Sequence, residues 1–570
     1  MWCRSSTRKI NCVVYHSGSV LQIRNYLASN QHVARSRRDA DVIVVGAGIA
    51  GVSASIAAAE KGARVILLDA AHGGGASAQS GGVVYAGGGT DQQKAAGYGH
   101  DTPSNMFNYL KQEVAGTVDD KTLQTFCNGS AQRLKWMELH GAKFEASLCP
   151  WKTSYPTDRH YLYFSGNEKS WPYNTAAEPA PRGHRMKSPG MSGAALWQAM
   201  FQSVLNLGVH VKPATRVERL LFDEDPNGVA IRSIKPHTRA FSRHKHLARI
   251  GHDSQLMVPE LADLFLNRAE AVWERSSTSS TLHAPAIILA AGGFAFNKKM
   301  RQEYLPEFSQ VAPLGTRGDD GSGIHLGQSA GGAVGKMNSM SAWRFLYPPT
   351  AFLEGIVVSR DGNRFISEDI YGATMSDGMI RKHESTAFAI YDSIQWAKAK
   401  SQLGEQTQSP LKLQRLHTLL WGHKKSSTLE GLALKFGISP DALCQTASAY
   451  NRAIAEGEAD PMHKSAEYCT PISQGPFYGV DISAQPTGIQ VTHGLTLGGL
   501  IVDGETGLVC RKDGSTIKRL YAAGRTAVGI CSNSYISGLS IADGVFSGIR
   551  AGEHAAKMAL GLIDLEYNAF

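Results

Sequence analysis

Residues 41–69 read DVIVVGAGIAGVSASIAAAEKGARVILLD, and this stretch decides the fold. Val42 to Val45 is a β-branched apolar run of the length of a buried parallel strand. Gly46, Gly48 and Gly51 follow at once, and Ala50 opens a helix of small residues. A second apolar run, Val65 to Leu68, ends in Asp69 and Ala70. The order is strand, glycine turn, helix, strand, acid. The first glycine allows the tight turn, the second lets a pyrophosphate approach the backbone, and the third lets helix and strand pack closely. Free N–H groups and a partial positive charge at the helix N-terminus then face the phosphates. An acid about twenty residues on is placed to accept ribose hydroxyls. A lone G-x-G-x-x-G is weak evidence; in this full context it predicts dinucleotide binding. Val42 to Ala59 is uncharged, but its glycines and serines and its end at Glu60 and Lys61 argue against a membrane span.

Outward from this unit, glycines 73, 74, 75, 81, 82, 87, 88 and 89 crowd the next loop, with Ser77 and Ser80 among them. Exposed backbone N–H groups suit wrapping a planar cofactor; a flexible linker is the plainer alternative. Residues 103–140 read as helical and 141–180 as irregular. Arg182 and His184, in PRGHR before a helix at 194–207, could face a ligand, but the preferred reading is ordinary loop charges. Residues 235–252 are basic, and Leu256, Val258, Leu261, Leu264 and Phe265 follow with helical spacing. Two readings fit: a surface for a membrane or partner, or a solvated insertion, which is preferred. SSTSS, 276–280, reads as a linker closing it. APAIILAAGGF, 284–294, is a strand entering a glycine turn, and includes Ala291 and Gly292. GDDGSGIHLG, which includes Asp319, begins another glycine-rich turn and helix. Residues 341–480 differ in texture and read as a second domain over the cofactor. LTLGGLIVD (495–503) and IKRLYAAGRTAVG (517–529) read as strands, and a small-residue helix closes the chain by 556.

The net charge of +9 is concentrated at one end. Residues 1–38 hold seven bases and no acid; without them 51 bases face 49 acids. The body is nearly neutral, so no nucleic-acid partner is expected. The leader fits a mitochondrial transit peptide or a disordered tail, giving a cytoplasmic or mitochondrial, in either case intracellular, expectation. Eight scattered cysteines include no C-x-x-C, so no metal, cluster or haem attachment is expected in this chain.

The motifs VIVVGAGIAG, SAQSGGVVYAGGGT, APAIILAAGGF, GDDGSGIHLG, LTLGGLIVD and LYAAGR, with the closing helix, occur in one order. In this the chain resembles the fumarate reductase/succinate dehydrogenase flavoprotein superfamily over residues 39–565. Within it, the chain is similar to the 3-ketosteroid dehydrogenases. The Δ4-(5α) type is nearest, through Tyr535, Ser537, Gly538, Leu539, Ser540, Ala542 and Asp543. The resemblance implies an α/β fold: a Rossmann-like, two-dinucleotide-fold FAD-binding domain with an inserted α+β capping domain. The FAD-binding parts are expected at 39–340 and 481–570, with the insertion near 235–282 and the capping part at 341–480. It implies FAD contacts from Gly46, Gly48, Ala50, Gly51, Asp69, Ala70, Ser77, Ser80, Gly81, Gly82, Ala291, Gly292, Asp319, Gly524, Arg525, Gly538, Leu539 and Ser540. Counting six residues back from Gly81 gives Gly75, where succinate dehydrogenases place a flavin-linked His, so the cofactor is expected to be non-covalent.

The departures are informative. Succinate and fumarate enzymes carry an arginine where this chain has Tyr535 to Gly538, and a dicarboxylate would lose its bidentate clamp. The implied chemistry is desaturation beside a ketone. Tyr535 donates to the ketone oxygen, Ser537 takes the α-proton, and a second tyrosine, with Tyr347 as candidate, relays it. Helix capping and packing are the plainer roles for Tyr535 and Ser537. Alternatives are Δ1 regiochemistry, a fumarate reductase-like or enone-reducing activity, and a flavoprotein binding an apolar ligand without this chemistry. The partners expected are a small apolar, steroid-like ketone and an external electron acceptor such as a quinone.

Overall fold

The computed structural model describes residues 38–255, 258–485 and 491–563. The leader through residue 37 and Leu256 lie outside them. Among the described residues the core is a six-stranded sheet. In chain order its strands are β1 (Val42–Val45), β2 (Val65–Leu68), β3 (His210–Lys212), β4 (Ala286–Leu289), β5 (Leu508–Cys510) and β6 (Thr516–Ala522). Their order across the sheet is β5-β6-β4-β1-β2-β3, parallel except for the β5–β6 edge pair. β1, β2 and β4 are buried along their whole length, which is why they are continuous Val/Ile/Leu runs with no alternation.

The glycine turn leads into helix Ile49–Glu60, and the chain closes with helix Leu539–Ala559. Gly544, Gly548 and Gly552 face the first helix. A Cβ on Gly548 would lie 2.4 Å from the Ala50 carbonyl oxygen, and one on Gly552 2.3 Å from that of Ala54. Glycine every fourth residue lets two helix backbones touch. Because the matched positions ascend together, the helices run roughly parallel. Both N-termini therefore open toward the same end of the sheet.

The 235–282 insertion is a helical hairpin, Arg239–Ser254 and Pro259–Ser276, set between strands Pro226–Ile234 and Ser277–His283. The linker expected at SSTSS is thus, from Ser277 on, a strand paired antiparallel with Pro226–Ile234, while Ser276 ends the helix before it. It reads as a linker because most of its residues are exposed, so apolar alternation is missing.

Beyond residue 340, strands Ile356–Val358, Phe388–Tyr391, Phe477–Asp481 and Lys424–Ser426 form a separate antiparallel sheet. Strand Met340–Trp343 pairs with His493–Thr496 and so ties the start of this region back to the return segment.

Candidate functional site

Two glycines shape the crevice at the sheet's end. Gly46 has φ +104°, and a Cβ there would lie 2.4 Å from the Ala290 oxygen. A Cβ on Gly51 would overlap the Gly46 carbonyl. Gly48 is the N-cap of helix Ile49–Glu60 without a side-chain cap, and its α-carbon faces open space apart from the Ser77 hydroxyl. Ser77 Oγ accepts from Ile49 N at 3.1 Å. Asp69 Oδ2 accepts from Ala47 N, while Oδ1 accepts from Ala71 N and Gly73 N, each at 2.9 Å. Asp69 thus pins both loops, and Oδ2 keeps a lone pair for a ligand hydroxyl. Ala70 follows it at the surface. Ser80 Oγ donates to Ser77 O and accepts from Gly82 N. Gly81 backs onto the Tyr155 ring and Gly82 onto the Ser192 carbonyl.

On the other side, Gly292, next to Ala291, has φ +85° and lies against Asp319, whose Oδ1 accepts from Gly293 N and from Arg525 Nη2 at 2.5 Å. Arg525 Nη1 is buried with no partner. Gly524 N donates to Ser547 Oγ on the closing helix. Gly538, at φ +91°, caps that helix without a side-chain bond, so Leu539 and Ser540 occupy its open first turn.

The Tyr535–Gly538 loop is held from both sides. Ser537 N donates to Ser165 O, Ser165 Oγ donates to Ser537 O, and Tyr85 N donates to Gly538 O. Tyr535 stacks on Trp343, with ring centroids 5.4 Å apart. Its phenol stays neutral: burial pushes its pKa well up, outweighing the pull of the Gly538 N–H and the Arg525 charge. Ser537 Oγ lies 2.8 Å from Tyr163 Oη. Tyr371 is the third hydroxyl here; burial raises its pKa, its neighbours Tyr535, Tyr163 and Tyr347 raise it further, and a Ser537 hydrogen bond opposes them.

Tyr347, the expected relay, is buried and within electrostatic reach of Tyr163, with Lys152 over its ring. The hydroxyls that reach Ser537, however, are those of Tyr163, at 2.8 Å, and Tyr371. Tyr163 sits on a two-residue strand, Leu162–Tyr163, inside the stretch read as irregular. Its bond to Ser537 spans 374 positions, and no local pattern signals it.

Arg182 and His184 are not loop charges. They lie fully buried in and beside strand Gly183–Arg185. Arg182 forms a two-pronged pair with Asp101, with bonds of 3.1 and 2.7 Å. His184 Nε2 is 2.9 Å from Thr90 Oγ1. Both partners lie about a hundred residues or fewer away but in other elements, which is why charge alone misleads here. Glu113 is also buried. It accepts from Tyr109, Asn167 and Ser534, and burial raises its pKa, with these bonds opposing.

The crevice thus has two helix starts whose N-cap residues are glycines, an acid for a ribose, and a buried guanidinium that Asp319 holds through Nη2 while Nη1 stays free. The sequence matches the FAD binding domain family over residues 41–538. The chain belongs to that family. Its cofactor is FAD, and the crevice fits it. A 3-oxo-5-alpha-steroid 4-dehydrogenase of Comamonas testosteroni is 35% identical over 85% of this chain and 92% of its own. The crystal structure of 3-ketosteroid-delta4-(5alpha)-dehydrogenase from Rhodococcus jostii RHA1 superposes with a TM-score of 0.75 at 29% identity, covering 91% of this chain and 98% of that one. A probable fumarate reductase of Shewanella frigidimarina is 26% identical over 91% of this chain and 75% of that one. The chain is a flavoprotein oxidoreductase of the ketosteroid dehydrogenase and fumarate reductase fold.

Proposed function

We propose that the chain desaturates a 3-ketosteroid, forming the C=C bond beside the ketone in the Δ4-(5α) sense. The observation that carries this is the Tyr535–Ser537–Tyr163 cluster beside the open N-terminus of helix Leu539–Ala559. The similarity to the Comamonas and Rhodococcus enzymes supports it.

Tyr535, held neutral by burial, donates to the ketone oxygen and stabilises negative charge as the α-proton leaves. A buried donor aimed at developing charge contributes about 3–4 kcal/mol. Ser537 Oγ takes the α-proton as its own proton passes to Tyr163 Oη, and Tyr163, a neutral phenol, gives up its own proton in the same relay toward solvent, so no free alkoxide forms. Tyr371 and Tyr347 extend the hydroxyl cluster. FAD, held in the crevice between Gly48 and Gly538, would supply the acceptor for the hydride that leaves the β-carbon. The closing helix N-terminus offers its partial positive charge to the reduced ring. In this reading FAD is held non-covalently and an external acceptor, such as a quinone, reoxidises it.

The carboxylate clamp a fumarate reductase needs is missing from Tyr535–Gly538, and the nearby Arg525 is engaged by Asp319. The deciding experiment is anaerobic titration of the holoprotein with a saturated 3-keto-5α-steroid, followed by flavin absorbance. Bleaching with a 4-ene product is expected. Unbleached flavin, together with reoxidation of reduced protein by fumarate, would reject the reading.

A further inference from the structure

Arg344 and Arg415 are both more than nine-tenths buried. Neither forms an ion pair among the described residues. Other buried guanidinium groups among the described residues meet carboxylates, as Arg182 meets Asp101 and Arg364 meets Glu368 and Asp460, or, like Arg133, Arg301 and Arg550, backbone carbonyls. Arg344 spends two donors on backbone carbonyls, those of Ile482 and Ser483. Arg415 donates Nη2 to the Phe345 carbonyl at 2.6 Å, and its Nε has no partner. Burial pulls both pKa values down to about 10, and for Arg344 the charge of Arg415 adds to it. Both remain cations at neutral pH. Two like charges out of water are costly where the nearest carboxylate, Asp481, acts on Arg344 without a direct ion pair, and a bound anion reduces that cost.

Both side chains line one cavity, whose other walls are largely apolar, including Trp343, Phe345, Phe352 and Ile482. Trp343 and Phe345 belong to two sites at once. Trp343 stacks on Tyr535, and Phe345 packs edge-on against Tyr371 at 5.1 Å. The cavity therefore abuts the tyrosine cluster through a single layer of rings. Helix Leu411–Leu420 closes it from outside with Leu411 and Arg415.

We propose that this cavity is a carboxylate subsite, in which Arg344 and Arg415 receive the anionic end of an apolar molecule. Two sources share that chemistry: an acidic side chain on the ketone substrate itself, or a separate fatty-acid-like anion. The first rests on the ketosteroid reading; the second does not. A planar guanidinium fork matches a carboxylate, and the aromatic and aliphatic walls match its apolar body. A small dicarboxylate supplies no such body and leaves the apolar walls unfilled.

The test uses the full-length holoenzyme. For the first source, kcat/KM is compared between 3-oxo-5α-cholan-24-oic acid and its amide. The acid is expected to be favoured about tenfold or more. The ratio should fall to about one in Arg415→Gln and stay partly above it in Arg415→Lys. For the second source, decanoate should raise the melting temperature saturably in the wild type, where succinate does not. This readout stands even if no ketosteroid is turned over. An acid-to-amide ratio near one together with no decanoate stabilisation overturns the proposal. So does equal stabilisation by succinate.

Discussion

Tyr163 and Ser537 lie 374 residues apart and place their hydroxyl oxygens 2.8 Å from one another. The contact joins a two-residue strand to the loop that opens the closing helix. In the proposed mechanism it gives the serine a hydroxyl to which its proton can pass.

Tyr163→Phe removes that destination while keeping the ring. The rate of flavin reduction should fall about 100-fold, with steroid affinity little changed. Stopped-flow bleaching under single-turnover conditions measures it. A rate within threefold of wild type would return the relay to Tyr347 or Tyr371.

Tyr535→Phe keeps the stack on Trp343 and loses the donor to the ketone. A loss of about 100- to 1,000-fold in reduction rate is expected. Unchanged reduction would take Tyr535 out of the mechanism.

The helix contact at Gly548 allows a contrasting pair of variants. Gly548→Val forces a side chain to within 2.4 Å of the Ala50 oxygen. It should cost about 1–3 kcal/mol or more and loosen FAD retention, because both helix starts shift. Gly404 lies inside helix Ser393–Gln406 with open space around its α-carbon. Gly404→Ala should stabilise by about 0.5–1 kcal/mol. Thermal melts of the two variants give opposite signs.

His184 predicts an acid limb in stability. Burial lowers its pKa from 6.5 to about 4, with the Arg182 carbonyl and Asp101 opposing. A histidine whose folded pKa is depressed contributes fully above its unfolded pKa. That contribution drains as pH falls from about 6.5 through about 4, by about 3 kcal/mol in all. Melting temperatures across this window should drop less steeply in His184→Gln. Parallel curves would place the acid sensitivity elsewhere.

The cofactor half of the molecule was legible in the chain itself. A strand, glycine turn, helix, strand and acid within 29 residues form one local unit, and each feature acts over a few neighbours. Apolar runs identified β1, β2 and β4 for the same reason: strands buried on both faces need no partner information to be recognised. Tyr535 and Ser537 were reached through a motif resemblance, because their neighbours, Ser165, Trp343 and Tyr163, come from distant segments.

What only the tertiary structure decided is who meets whom. It put Tyr163 on Ser537, buried Arg182 and His184 beside and in a strand rather than leaving them as loop charges, and made residues 277–280 part of an edge strand. It also brought Arg344 and Arg415 to one cavity wall without a carboxylate between them. Sequence reports propensity and period, which are local. Hydrogen bonds, burial and charge pairing depend on distance in space, and chain closure over hundreds of residues sets that distance.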